Sequence, residues 1–113
     1  MRTPEGYLKA DIKKFITSLP CRYQFWPVQM GIGKRTVDGL WCINGRFVAC
    51  EVKREGEKPT PLQEQCMKEV IEAGGAAFWC DTFESFIANM KMWGLIPQFD
   101  GDKVDQKYVS RKK

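Results

Sequence analysis

Val37-Asp38-Gly39-Leu40-Trp41-Cys42-Ile43-Asn44-Gly45-Arg46-Phe47-Val48-Ala49-Cys50-Glu51-Val52-Lys53 is the stretch whose reading decides the fold of this chain. Asn-Gly between two apolar runs is the strongest short-range signal for a two-residue type I′ hairpin, whose loop residues both take positive φ. With Asn44 and Gly45 as the loop, Ile43 pairs with Arg46, Leu40 with Ala49, and Asp38 falls opposite Glu51. Opposed residues on antiparallel strands share a face, with Cβ atoms about 4.5–5.5 Å apart. Lys53 lies two residues beyond Glu51, and the period-two alternation of a strand puts it on that face too. Two carboxylates and an ammonium therefore converge. Like charges directly opposed are destabilising, so the pair calls for something positive between them, and a divalent metal is the leading candidate.

The rest of the hairpin is largely apolar. Leu40, Cys42, Phe47 and Ala49 continue the carboxylate face, while Val37, Trp41, Ile43, Val48, Cys50 and Val52 are assigned to the other. Apolar residues on both faces describe central strands covered on two sides. The charged corner is confined to one end of one face.

Outward from the hairpin, the elements alternate. Thr3-Pro4-Glu5 opens a helix with an apolar stripe of Tyr7, Leu8, Ile12, Phe15, Ile16 and Leu19, ended by Pro20. Residues 22–30 carry Tyr23, Phe25, Trp26 and Val28 and read as a strand bent at Pro27. A glycine-bearing loop holding Lys34 and Arg35 leads into the hairpin. Thr60-Pro61-Leu62-Gln63 is a capping-box pattern, opening a helix with Leu62, Cys66, Met67, Val70 and Ile71 that stops at Gly74-Gly75. Residues 76–80 form a short apolar strand. Asp81-Thr82-Phe83-Glu84 begins a third helix, with Phe83, Phe86, Ile87, Met90 and Trp93 inward. After Pro97 the periodicity ends in a polar, basic tail. The order predicts an α/β domain, a mixed sheet flanked by helices, over residues 1–96, with residues 97–113 as the tail. The helix after the hairpin should cross over to a parallel strand.

At 113 residues, 43% hydrophobic and 28% charged, the chain reads as one globular domain. It has no apolar run near the about 18–20 residues of a membrane span and no signal-peptide pattern. The expectation is an intracellular protein, of a bacterial or phage-infected cytoplasm, or of the nucleus if the source is eukaryotic. Cys21, Cys42, Cys50, Cys66 and Cys80 are odd in number and widely spaced, and read as small core residues. The chain contains no histidine, which excludes Ser-His-Asp and Cys-His nucleophiles and histidine-ligated zinc. Any acid-base or metal chemistry must run on carboxylates and lysine. The net charge of +4 suits a polyanionic partner without establishing one.

The order αβββαβ, an acid at the second core strand (Asp38), Glu51-Val52-Lys53 at the third, and Gln63 in the next helix together resemble the PD-(D/E)XK nuclease fold. Within it the chain is most similar to the VRR-NUC domain, the virus-type replication-repair nuclease, in its stand-alone form. Glu5 matches that family's acid on the first helix; Val37 departs from it, standing where the family usually has proline. The resemblance implies a restriction-endonuclease-like core and Mg2+- or Mn2+-dependent hydrolysis of DNA phosphodiesters in replication or repair. It further implies branched substrates, such as four-way junctions, and a homodimer. Asp38, Glu51 and the Val52 carbonyl would hold the metal, and Lys53 would orient the water. Glu5 would position a second metal or a water, Gln63 the nucleophile or Lys53, and Lys34, Arg35 and Arg54 would grip DNA.

Each assignment has a bland counterpart. Glu51 and Lys53 could be a surface ion pair, Gln63 merely the partner of the Thr60 cap, and Glu5 a charge favoured by the helix dipole. Trp26, Trp41, Trp79 and Phe83 read as core in preference to base-stacking platforms. Functional alternatives are a non-catalytic nucleic-acid-binding module with the same fold, or a subunit-interaction domain.

Overall fold

The computed structural model describes residues 3–28 and 37–97. Its elements are α1 (Pro4–Thr17), β1 (Arg22–Phe25), β2 (Gly39–Ile43), β3 (Arg46–Val52), α2 (Pro61–Glu72), β4 (Ala76–Cys80) and α3 (Phe83–Met92). One mixed sheet has the order β1-β2-β3-β4, antiparallel except for the parallel β3–β4 pair. The chain is thus α/β, with α2 making the connection between the parallel strands. No helix among the described residues is long and apolar enough to cross a membrane.

The hairpin turns at Asn44 and Gly45, with φ of 52° and 81°. That is the left-handed region the two-residue loop requires, and glycine and asparagine enter it at least cost. Ile43 pairs with Arg46 and Leu40 with Ala49, down to Gly39 with Cys50. All three helices start on threonine caps, with Gly6, Gln63 and Ser85 N–H groups donating to the Thr3, Thr60 and Thr82 hydroxyls.

Two helices cover one face of the sheet and one covers part of the other. Ile12, Phe15 and Ile16 of α1 and Phe86 and Met90 of α3 pack on Trp41, Ile43, Val48, Cys50, Val52, Phe78 and Cys80. On the opposite face, Met67 of α2 packs with Val37, Ala49 and Ala77. This overturns the expected side for Val37. The chain bends at Asp38 and leaves the ladder, so strict alternation ends before Val37.

Other expectations also need correcting. The first strand stops at Phe25, with residues 26–28 outside it, and Gln29 and Met30 fall beyond the described residues. The stripe of α2 is Gln63, Cys66, Met67 and Val70, while Leu62 and Ile71 are exposed. Among the described residues, cover on two sides holds for β4 and for β3 beyond Phe47, because α2 packs there and leaves Tyr23, Phe25, Cys42 and Phe47 exposed. Cys50 and Cys80 are core residues and Cys66 is half-buried, but Cys21 and Cys42 face solvent. Trp41 is core, and Trp26, Phe83 and Trp79 pack against the two clusters.

Gly39 has a steric task. A Cβ there would lie 2.5 Å from Nε1 of Trp41, whose indole is fixed between Trp26 and Phe86. The buried indole N–H has no partner among the described residues, so the ring is held by packing alone. Gly39→Ala is expected to cost about 1–3 kcal/mol by overpacking, read as a lower urea midpoint at unchanged m-value.

Candidate active site

The β2–β3 ladder ends in an exchange of side chains for backbone. In a two-residue hairpin the hydrogen-bonded pairs alternate from Ile43–Arg46, so the Val52 N–H would next seek the carbonyl of Val37. Instead Val52 N–H donates to Asp38 Oδ2 at 2.9 Å. In return the Asp38 N–H donates to Glu51 Oε1 at 3.1 Å. Each carboxylate thereby fixes the backbone of the other's strand. Asp38 and Glu51 are 3% and 1% exposed, among the described chain's few buried polar residues.

Positive charge does sit against both carboxylates, from lysine. Lys53 Nζ lies 3.3 Å from Glu51 Oε2, and Lys9 Nζ lies 3.1 Å from Asp38 Oδ1. The Glu51–Lys53 pair is no surface contact, with the glutamate buried and the lysine side chain 15% exposed. Two buried anions with two partly buried cations are close to neutral, which makes their burial tolerable.

Gln63 is the partner of the Thr60 cap and also meets Glu51, where the expectation beyond the cap is the nucleophile or Lys53. Its Oε1 accepts the Thr60 N–H at 2.9 Å, completing the capping box, while its Nε2 donates to Glu51 Oε2 at 2.7 Å. One planar amide thus ties the start of α2 to the carboxylate. Glu5 stands apart from the carboxylate pair and reaches it through Lys9, 3.7 Å from the Glu5 carboxylate. Arg54 is exposed and paired with Glu57 at 3.0 Å, which holds the Glu57 carboxyl below its ordinary value. Lys34 and Arg35 lie outside the described residues, as does the tail from Gln98.

Lys9 is the residue that sequence reasoning missed. The signal was its spacing, since a residue four positions after Glu5 shares its face of the helix. Behind the site, burial pushes the Cys50 thiol well above its ordinary value, with Cys80 Sγ 3.9 Å away and the two carboxylates adding to the effect. Cys50 is therefore an inert thiol. A cleft of about 280 Å³ opens beside Lys53, lined by Tyr7, Asp11, Lys53, Arg54 and Asp81 among others.

The described residues contain no cluster of three or more histidine, cysteine or acidic side chains suited to a metal. Two carboxylates are nonetheless a usable donor set. Mg2+ takes one or two carboxylates and keeps several waters, and its hard oxygen preference matches Asp38, Glu51 and a strand carbonyl. Among the described residues Asp38 meets two donors, fewer than the about four a carboxylate can accept. The residues present fit such an ion.

Comparison with known proteins finds no matching family model, no matching curated protein and no matching solved structure.

Proposed function

We propose that this protein is a metal-dependent DNA endonuclease with a restriction-endonuclease-like core of the VRR-NUC type, acting on branched DNA in replication or repair. The observation that carries the reading is the reciprocal Asp38–Glu51 exchange with Lys53 against Glu51, all at one end of the sheet. A structural role alone would be met more cheaply by apolar residues, because buried ion pairs seldom add stability over well-packed hydrophobic ones. Keeping four charged groups there favours chemistry.

Asp38, Glu51 and the Val52 carbonyl would hold Mg2+ or Mn2+. The ion, when bound, acidifies water and polarises the phosphoryl oxygen. The chain's own residues do the rest. Gln63 locks Glu51 in one rotamer, and the Val52 N–H locks Asp38. Lys53, anchored through its N–H on the Cys80 carbonyl, presents an ammonium that orients the attacking water and stabilises charge developing on phosphorus-bound oxygen. Lys34, Arg35, Arg54 and the tail lysines would grip phosphates. Two copies in a homodimer would place two such sites on a symmetric junction.

The test is a panel of linear, flap, splayed-arm and four-way-junction DNAs incubated with Mg2+ or Mn2+. Cleavage that EDTA abolishes, strongest on a branched member, is the expected result. Salt-sensitive binding of every substrate without cleavage would assign the protein to the non-catalytic binding class.

A further inference from the structure

Lys9 stands on the Asp38 oxygen that the backbone leaves unused. Its Nζ is 3.1 Å from Oδ1, whereas Oδ2 is committed to the Val52 N–H. The same ammonium is 3.7 Å from Glu5 Oε2, one helical turn back. Lys9 thus lies between two carboxylates of unlike burial. The Asp38 side chain is 2% exposed and that of Glu5 is 35% exposed. A lysine is a compact charge on a flexible stem and can move between such partners with little rearrangement.

We propose that Lys9 is a resident counter-ion that competes with a divalent cation for Asp38 Oδ1 and passes to Glu5 when displaced. The inference rests on the metal-dependent reading above and adds a residue to it. Charge balance gives the direction. With Lys9 on Asp38, the two carboxylates and two lysines are formally neutral, and a divalent ion added to them would leave a buried excess of two charges. Moving Lys9 to Glu5 lowers that excess to one, which a single phosphodiester neutralises. Lys9 therefore holds the carboxylates together without the ion and opposes its binding, while Glu5 is the acceptor that makes the exchange reversible. Glu5 is in this scheme a positioning residue acting through Lys9.

Calorimetric titration with Mn2+ in the absence of DNA, paired with thermal melting, tests this on the full chain. Lys9→Gln is expected to tighten Mn2+ binding about tenfold, the scale on which groups beside a metal ligand tune affinity. Its melting temperature should fall without Mn2+ and recover with it. Lys9→Arg keeps the charge and should bind Mn2+ near the parent's affinity, and Glu5→Gln removes the acceptor and should weaken binding. Unchanged or weaker Mn2+ binding by Lys9→Gln would overturn the proposal, as would a variant that fails to fold even in Mn2+. Absence of Mn2+ binding by parent and Lys9→Gln alike would overturn it together with the metal-dependent reading. Tighter binding by Lys9→Gln in a protein that cuts no DNA would uphold the exchange and reject the nuclease alone.

Discussion

Lys53→Ala is expected to lower DNA cleavage by about 10²- to 10⁴-fold, the range for losing a group that stabilises charge or moves a proton in the transition state. Mn2+ binding should persist. The ligating carboxylates stay in place, because Asp38 is held by the Val52 N–H and Glu51 by the Asp38 N–H and by Gln63. Removing the ammonium thus deletes an interaction that grows during the reaction and leaves ground-state binding largely alone, so kcat should fall with little change in KM. Single-turnover cleavage of the best substrate at saturating Mn2+ reads this directly. Cleavage at the parental rate would make Lys53 a counter-ion of Glu51 and nothing more.

Glu51→Gln should fail at an earlier step. The amide has the same size and keeps an oxygen for the Asp38 N–H, so the fold should survive, which circular dichroism would confirm. Its NH2 stands where Oε2 accepted from Gln63 Nε2 and Lys53, so two donors lose their acceptor and the melting temperature should fall. What is lost is the negative charge a divalent ion needs. Mn2+ affinity should drop by more than about a hundredfold, beyond the 10- to 100-fold typical of groups that only support a ligand. Cleavage should fall with it, while DNA binding, which depends on lysine and arginine contacts to phosphate, should keep its salt dependence. Parental Mn2+ affinity would remove Glu51 from the ligand set.

Much of the fold was legible because its signals are local. Asn44-Gly45 requires positive φ and so defines the register, and the threonine caps with Pro4 and Pro61 mark the starts of α1 and α2. The apolar stripe of α3 identified its inward residues, Phe86 and Met90, correctly. The errors cluster where local periodicity ends or where a neighbour is missing. Val37 changed sides because Asp38 bends the chain, and Phe47 and Cys42 are exposed because α2 lies over only half of its face. No property of those residues themselves announces that a helix stops short of them.

The sequence by itself determined the hairpin, its register down to Gly39 and Cys50, and the chemistry left open to a chain without histidine. These follow from turn stereochemistry, the two-residue period of a strand and composition, all of which act over a few residues. Only the tertiary structure decided that Lys9 of α1 meets Asp38, that Gln63 serves the cap and Glu51 together, and that Glu5 reaches the site through Lys9. Those contacts join helices to strands far along the chain. They arise from how α1 and α2 pack against the sheet, and packing is settled by the whole core at once.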